Sequence, residues 1–440
     1  MKKSLKALGG ILFAVCYLFT VASCGAADGG GGGYKGGMVT APSGSASGDA
    51  SSGETDSSTG QENETERPAG LLTAGAWNDN ENYAYWQSLF MQEQAEDGKE
   101  AQVGKFFDYS KSEKSWGFNS LRRVKVTVKD GGKVVAGAKV CTKSKQGKME
   151  FEAVTDANGV AYLFTGLEEG TIEANGGHIG VPVEFTAQDE ELTIDLAGTS
   201  QIVKQDVIEL MFVVDVTGSM GDELSYLNNE IADVVNRVAT IHSEAQINLA
   251  LLFYRDYTDK DIFQYYDFED VTTEEGMAKQ QKAIAQQKAT GGGDYAEAVE
   301  DALAMALEQQ WSSGATTKLI FHVLDAPPHS KASNQQNFRM AVLEATRKGV
   351  RICPVLCSGA DILTEYVMRQ AAIYTGGTFI FVTDDSGIGN PHYDPNLPNV
   401  TVEALNSLMV RLINGYHSGV FEEPIYWRDE ILMNTPMPIS

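Results

Sequence analysis

The hydrophobic pattern changes its period near residue 205. Between Leu121 and Leu196, apolar and polar residues alternate, as Val124, Val126 and Val128 show. A period of two residues is typical of half-buried strands. Gly-rich turn signals recur along the same stretch, so the pattern predicts a small antiparallel β-sandwich over residues 117–200.

After residue 205 the pattern alternates between short apolar runs and amphipathic helical stretches. The predicted strands cover 207–214, 247–253, 318–324, 351–355 and 378–382. The predicted helices cover 222–241, 273–287, 295–310, 335–348, 362–374 and 402–414. This alternation predicts a doubly wound α/β fold with a mostly parallel sheet and helices on both faces over residues 205–417. Residues 262–267 are expected to add an antiparallel edge strand.

Two further segments flank these regions. Residues 71–116 are rich in aromatic side chains, and positions 82–94 fit a helix with an aromatic face. We expect this segment to dock on a neighbouring domain, with a carbohydrate-binding strip as the alternative. Residues 418–440 carry three prolines and are expected to form an irregular tail.

The N-terminus has the pattern of a secretory signal. Three lysines precede a short apolar run, and Val21-Ala-Ser-Cys24 follows it. The run is too short and wrongly flanked for an ordinary membrane span. The last four residues resemble the bacterial lipobox, which implies a signal peptide over residues 1–23 and a lipid on Cys24; simple cleavage is the alternative. Residues 24–70 are dominated by Gly, Ser and acidic residues, which predicts a disordered tether.

The charge balance narrows the classes of partner. The chain carries a formal charge of −26, and removal of residues 1–23 takes it to −29 because only lysines are lost. So acidic a chain is not expected to bind nucleic acid or to dock electrostatically on anionic lipid. Cys141, Cys353 and Cys357 fit neither a disulfide framework nor a zinc motif, and we expect them to be buried and structurally quiet.

The first candidate site follows the apolar run of residues 207–214. The run ends in Asp215, Thr217 and Ser219, which place three side-chain oxygens at alternate positions. Hard divalent cations take oxygen ligands, and ligands of open α/β sheets bind at the carboxyl ends of strands. The turn therefore predicts half of a Mg²⁺ site. A simple helix-capping turn is the alternative.

Two later loops supply further oxygens. Thr290 is followed by three glycines and then Asp294, just before a predicted helix. Asp325 follows the mostly apolar run of residues 319–324. Because a doubly wound sheet gathers these loops at one edge, Asp215, Asp294 and Asp325 are expected to converge.

These motifs together resemble the von Willebrand factor type A domain. Its metal-ion-dependent adhesion site combines an Asp-x-Ser/Thr-x-Ser turn with residues from two later loops. By that resemblance the ligands would be Asp215, Thr217, Ser219, Asp325 and, from the second loop, Asp294, with Thr290 as the competing candidate. The implied cofactor is Mg²⁺, with Ca²⁺ or Mn²⁺ as alternatives.

A second resemblance concerns residues 117–200, which are similar to carboxypeptidase-regulatory-like and collagen-adhesin B-type modules. Those modules are usually spacers.

The resemblance to the type A domain also implies a function. In that family the cation keeps an open position that an acidic residue of a partner protein fills. We therefore expect a non-enzymatic lipoprotein of the bacterial envelope, at the outer membrane or cell surface, that binds a protein ligand in adhesion or assembly. A structural subunit of an envelope complex is the main alternative. A metal-dependent hydrolase is a less favoured alternative. A serine hydrolase is disfavoured because Thr217-Gly-Ser-Met-Gly221 lacks the first glycine of a nucleophile elbow. Asp256 and Asp259 are interpreted as solvated loop charges or as a recognition rim. Asp384 and His392 form a further polar cluster, with a second cation site as its less favoured interpretation.

The lipid prediction can be tested by the substitution Cys24→Ser. We expect the variant to leave the membrane fraction and to keep its uncleaved signal, because the acyl acceptor is gone. Fractionation and intact mass measure both effects. Equal membrane association and an unchanged processed mass would contradict lipidation.

Overall fold

The computed structural model describes residues 70–92, 103–111, 114–177, 179–313 and 315–434. The predictions for residues 1–69, including lipidation at Cys24, lie outside this part of the chain. Within it, no helix is long and apolar enough to cross a membrane.

The N-terminal elements of the described chain are mostly strands. They are β1 (Thr73–Trp77), α1 (Tyr83–Ser88), β2 (Arg123–Asp130), β3 (Lys133–Val134), β4 (Lys139–Lys143), β5 (Met149–Val154), β6 (Val160–Phe164), β7 (Glu169–Asn175), β8 (Gly180–Thr186) and β9 (Glu191–Asp195).

The remaining elements alternate between strand and helix. They are β10 (Lys204–Asp215), α2 (Gly221–Ile241), β11 (Gln246–Tyr254), β12 (Phe263–Asp270), α3 (Glu274–Ala285), α4 (Val299–Glu308), β13 (Ala315–Leu324), α5 (Ala332–Lys348), β14 (Arg351–Leu356), α6 (Ile362–Thr375), β15 (Phe379–Thr383), β16 (Glu403–Ala404), α7 (Leu405–Ser418) and α8 (Trp427–Asn434). The helix α8 corrects the expectation that residues 418–440 are wholly irregular.

One eight-stranded sheet organises the C-terminal half, in the order β12-β11-β10-β13-β14-β15-β1-β16. The neighbours β11, β10, β13, β14 and β15 run parallel, and β12 is antiparallel at the edge. The predicted doubly wound α/β fold and its antiparallel edge strand are therefore confirmed.

The long apolar run of β10 is explained by burial on both faces. Leu210, Phe212 and Val214 belong to a core with α2 and α7, whereas Met211 and Val213 belong to a core with α4, α5 and α6. A strand covered on both sides needs apolar side chains at every position, not at every second one. The polar residues at the end of β10 therefore mark the boundary of the core.

The strands within residues 117–200 form two four-stranded sheets. One has the order β3-β2-β6 with β9 beside β2, and the other has the order β5-β4-β7-β8. Their core is continuous with that of α5 and α6, where the Phe164 ring stacks on Tyr374 with centroids 4.5 Å apart. Cys141, Cys353 and Cys357 are buried, as predicted.

The segment 71–116 differs from its helical prediction. Its strand β1 pairs antiparallel with β15 and β16 inside the large sheet, and its helix α1 covers only six residues. The aromatic residues nevertheless pack: Trp86 is fully buried, with its ring centroid 5.0 Å from that of Phe90. The sequence Thr-Ala-Gly-Ala-Trp lacks a strand pattern, so the pairing partners decide its conformation.

A buried arginine holds this segment on α6. Arg369 is fully buried and donates from Nε and Nη2 to the Asp79 carboxylate at 2.9 and 2.5 Å. Its Nη1 donates to Glu365 Oε1 at 2.8 Å. One guanidinium thus pairs with two buried carboxylates, and Lys105, with Nζ 2.5 Å from Glu365 Oε2, supplies a second positive charge.

We predict that Arg369→Met destabilises the protein by about 3–5 kcal/mol, because Asp79 remains buried without its countercharge, although Glu365 retains its ion pair with Lys105. Chemical denaturation measures the free energy of unfolding. The control is Arg347→Met, since Arg347 makes only a half-exposed ion pair with Glu344 at 3.6 Å and should change stability by less than about 1 kcal/mol. Equal effects of the two substitutions would show that the buried pair does not anchor β1.

Candidate metal centre

The structure brings Asp215, Thr217 and Ser219 together at the carboxyl end of β10. The Thr217 backbone N–H and its hydroxyl both donate to Asp215 Oδ1, at 2.8 and 2.7 Å. The Ser219 hydroxyl lies 3.2 Å from that of Thr217. Asp215 and Thr217 are buried, whereas Ser219 is exposed. The turn therefore opens to solvent at Ser219.

The surroundings of Asp215 disfavour its ionised form. Its Oδ2 atom is buried and makes no hydrogen bond within the described residues. Burial, and then the negative charge of Asp325, raise the pKa of Asp215 to about 7, although the hydrogen bonds from Thr217 and the charge of Arg255 act in the opposite direction. Asp325 is itself buried, close to Gly359. The two aspartates predicted from separate loops thus interact.

The glycine run of the second loop is required by its path. Gly291 and Gly292 adopt φ angles of +84° and +87°, which side-chain-bearing residues rarely adopt. A Cβ on Gly291 would lie 2.2 Å from Asp259 Oδ1. Asp259 accepts a hydrogen bond from the Gly292 N–H at 2.9 Å, and Gly218 donates to the Gly291 carbonyl at 3.1 Å. These contacts hold the second loop against the loop that contains Gly218.

The residue that this loop buries at the centre is Glu297, which the sequence analysis did not select. Glu297 is 3% exposed, and its Oε2 has no hydrogen-bond partner among the described residues. Burial and the charges of Asp215, Asp256, Asp325 and Asp259, in that order, raise its pKa to about 9. A Cβ on Gly292 would lie 3.2 Å from Glu297 Oε1 and 3.4 Å from Thr217 Cβ. Glu297 is therefore a further oxygen donor beside Thr217.

The two second-loop candidates from the sequence, Asp294 and Thr290, are exposed. The Asp294 carboxylate is 74% exposed and lies 3.7 Å from His329 Nε2. Thr290 is exposed, and its backbone groups contact Val216 and Arg255. Glu297 is also joined to the third loop, where its N–H donates to the Pro327 carbonyl at 3.1 Å, a contact that no sequence pattern indicates.

The donors that converge fit a hard divalent cation. Three buried carboxylates, Asp215, Asp325 and Glu297, face two hydroxyls, and a set made only of oxygens suits Mg²⁺, Ca²⁺ or Mn²⁺. The Thr217 hydroxyl proton is directed at Asp215, which leaves the oxygen lone pairs free to accept. The pKa of Asp215 and that of Glu297 are both raised by neighbouring negative charge, which a cation would offset.

Two polar clusters surround the centre. Asp256 is buried, which corrects its interpretation as a solvated loop charge, and Asp259 holds the glycine loop. On the other side, His392 lies with Nδ1 at 2.8 Å from Asp384 Oδ1 and with Nε2 at 3.3 Å from Glu223 Oε1. His392 is thus already engaged by two carboxylates.

Comparison with known families agrees with this architecture. Residues 209–384 match the family model of the von Willebrand factor A domain, a stretch that begins in β10 and ends just after β15.

Residues 209–384 form a von Willebrand factor A domain.

Individual relatives of this A domain are distant. An ariadne-like RING finger protein of Acanthamoeba polyphaga mimivirus is 25% identical over 230 residues, which are 50% of this chain and 22% of that protein. The chain therefore spans less than a quarter of that relative's length.

Two solved structures also overlap with the chain. Protein BatB of Bacteroides thetaiotaomicron has a TM-score of 0.29 and 11% identity over 40% of this chain and 90% of BatB. The pilus adhesin SpaC of Lactobacillus rhamnosus GG, in its open conformation, has a TM-score of 0.33 and 10% identity over 64% of this chain and 34% of SpaC. At these TM-scores neither structure adds to the functional interpretation.

The raised pKa values predict a pH dependence of the metal-free protein. Asp215 and Glu297 are more easily protonated in the folded chain than in the unfolded one, so their contribution to stability is complete at low pH. It is lost as pH rises through about 7 and about 9. In EDTA we therefore expect the free energy of unfolding to fall between pH 5 and 9.

Denaturation curves across this range provide the test. Glu297→Gln should flatten the decline, and Glu150→Gln, at an exposed position, should leave it unchanged. If stability declined by the same amount in Glu297→Gln as in the wild type, the decline would not come from the raised pKa of Glu297.

Proposed function

We propose that the A domain binds a protein ligand through a divalent cation, preferably Mg²⁺, held by Asp215, Thr217, Ser219, Asp325 and Glu297. The observation that carries the proposal is the group of buried carboxylates at the carboxyl edge of the sheet. Their mutual repulsion is unfavourable without a countercharge. Domains of this class often bind a divalent cation, which supports the same conclusion.

The ligand is expected to offer a carboxylate. The chain has a net charge of −26, so an acidic group approaching its surface is repelled on average. A cation with a coordination position open to solvent provides a local attraction that overcomes this repulsion. The exposed Ser219 lies on the side from which a ligand would approach. Binding should therefore depend strictly on the cation.

The function we propose is binding, not catalysis. The Ser219 hydroxyl lies 3.2 Å from the Thr217 hydroxyl, and within the described residues it makes no hydrogen bond to a histidine. His322 is fully buried in the sheet, close to Tyr254, and burial lowers its pKa to about 3. That histidine is therefore a poor proton acceptor at neutral pH.

We further propose that the protein is held at the bacterial envelope by a lipid on Cys24, with residues 24–70 as a tether. The lipobox-like Val21-Ala-Ser-Cys24 supports this location. A tethered binding domain would serve adhesion, or the assembly of an envelope complex.

The experiment that tests the function is affinity capture from envelope extracts in Mg²⁺ and in EDTA. We expect a protein partner to be retained in Mg²⁺, released by EDTA, and absent with Asp325→Asn. The control is Asp385→Asn, at an exposed carboxylate just after β15 on the same sheet edge. A partner that is captured equally in EDTA, or equally by Asp325→Asn, would overturn the proposal.

A direct measurement of Mg²⁺ binding distinguishes the second-loop candidates. We predict that Glu297→Gln weakens Mg²⁺ binding at least tenfold, about 1.4 kcal/mol, because a buried carboxylate is lost from the centre. Asp294→Asn and Thr290→Ala should do much less, since both side chains are exposed and Asp294 lies beside His329.

Thermal shifts extend this prediction. At a Mg²⁺ concentration 100-fold above its Kd, the wild type should gain about 2.7 kcal/mol of stability. Asp215→Asn and Asp325→Asn should abolish this gain while making the metal-free protein more stable, because each removes a repelled charge. If Asp294→Asn proves more damaging than Glu297→Gln, the loop ligand is Asp294, as the sequence resemblance implies.

A further inference from the structure

A second group of side chains with metal-binding atoms lies beside the centre. One atom each from Asp256, Asp294 and His329 lies within 4.8 Å of the others. His329 Nε2 is 3.4 Å from Asp256 Oδ1 and 3.7 Å from Asp294 Oδ1. Ligands about 2.1 Å from a tetrahedral Zn²⁺ lie about 3.4 Å apart, so these separations are close to those of a bound ion.

Asp256, the buried member of this group, has a carboxylate oxygen that faces His329 and makes no hydrogen bond within the described residues. Asp256 is 1% exposed, and its Oδ1 makes no hydrogen bond within the described part of the chain. Its Oδ2, in contrast, accepts from the Thr258 hydroxyl at 2.9 Å. A buried carboxylate oxygen without a hydrogen-bond donor is costly. This one is directed at His329 Nε2 and at the exposed Asp294.

The histidine is oriented as a ligand. His329 Nδ1 lies 3.1 Å from the Glu297 carbonyl oxygen, which can only accept, so Nδ1 carries the hydrogen. In the neutral ring Nε2 therefore presents its lone pair to the two aspartates. Metal-binding histidines almost always donate their second N–H in this way, to a carbonyl or a carboxylate. The buried Glu300 adds a carboxylate 3.7 Å from the same Nδ1.

We propose that Asp256, Asp294 and His329 form a second cation site, distinct from the oxygen-only centre, which takes a borderline transition metal such as Zn²⁺. An imidazole nitrogen with two carboxylates suits Zn²⁺ better than Mg²⁺, which prefers oxygen ligands and keeps its water. Because Asp294 is exposed, an ion has access from solvent. This inference goes beyond the binding function proposed above and does not depend on it.

The competing occupant is a proton on Nε2. A protonated His329 would pair with both aspartates and satisfy Asp256 without a metal. The two occupants differ in a measurable way, because only the first gives saturable, stoichiometric Zn²⁺ binding that depends on Asp294.

Calorimetric titration of the full chain with Zn²⁺, in excess Mg²⁺ and without a histidine tag, tests the site. We expect binding of one Zn²⁺ at this site, weakened at least 100-fold in His329→Gln and at least tenfold in Asp294→Asn. The matched control is His242→Gln, because His242 lies at the C-terminus of α2 and contacts Asn414. Asp294→Asn alters an exposed side chain, so it remains decisive if His329→Gln does not fold.

Titration with Co²⁺ provides a second readout. The visible absorption of bound Co²⁺ should change in His329→Gln, because the nitrogen ligand is lost, and should persist in Asp325→Asn. Zn²⁺ binding that is absent, unaffected by Asp294→Asn, or lost in Asp325→Asn would overturn the proposal; the last result would place the ion at the first centre. Failure of Mg²⁺ binding with Zn²⁺ binding intact would overturn only the proposed function.

Discussion

The repulsion between buried carboxylates at the carboxyl edge of the large sheet is the constraint on which the rest of this centre depends. Asp215, Asp325 and Glu297 are each at most 3% exposed. The fold deals with buried acids differently at α6, where the Arg369 guanidinium pairs with Asp79 and Glu365 and Lys105 adds a second positive charge beside Glu365. At α6 the positive charges belong to side chains of the protein, whereas the proposed metal centre would take its positive charge from solution. With a cation bound there, stability and binding would depend on what the solution contains.

The positions of the first and third loops follow from the sequence because each loop comes directly after a buried strand. Asp215, Thr217 and Ser219 follow a strand whose burial on both faces is evident from its composition, and Asp325 follows another such strand. The second loop is different. Its path depends on glycines at positive φ and on the contact of Gly292 with Asp259, which lies 33 residues earlier in the chain. No local pattern shows that Glu297, rather than Asp294, is the residue it buries.

The strand β1 could not be predicted for a related reason. Its three central residues, Ala74, Gly75 and Ala76, have weak strand preference. Only glycine fits at position 75, because the Phe381 ring and Val400 occupy the space that a side chain would need. Its conformation comes from pairing with β15 and β16. Periodicity finds elements that carry their own amphipathic pattern, and β1 carries none.

Glu297 links the two proposed cation sites, since its carboxylate lies beside Thr217 and its carbonyl oxygen lies 3.1 Å from His329 Nδ1. The position of β1 adds a mechanical consequence. Because β1 is antiparallel to β15, its first residue, Thr73, lies opposite Thr383 at the sheet edge that carries the centre. The N–H groups of Gly70 and Leu71 are held there by the Glu230 carboxylate. If the chain were pulled from before Gly70 while a ligand held the centre, the two opposing forces would both act at this edge of the large sheet. Such a load would peel β1 away one hydrogen bond at a time instead of shearing the whole strand at once.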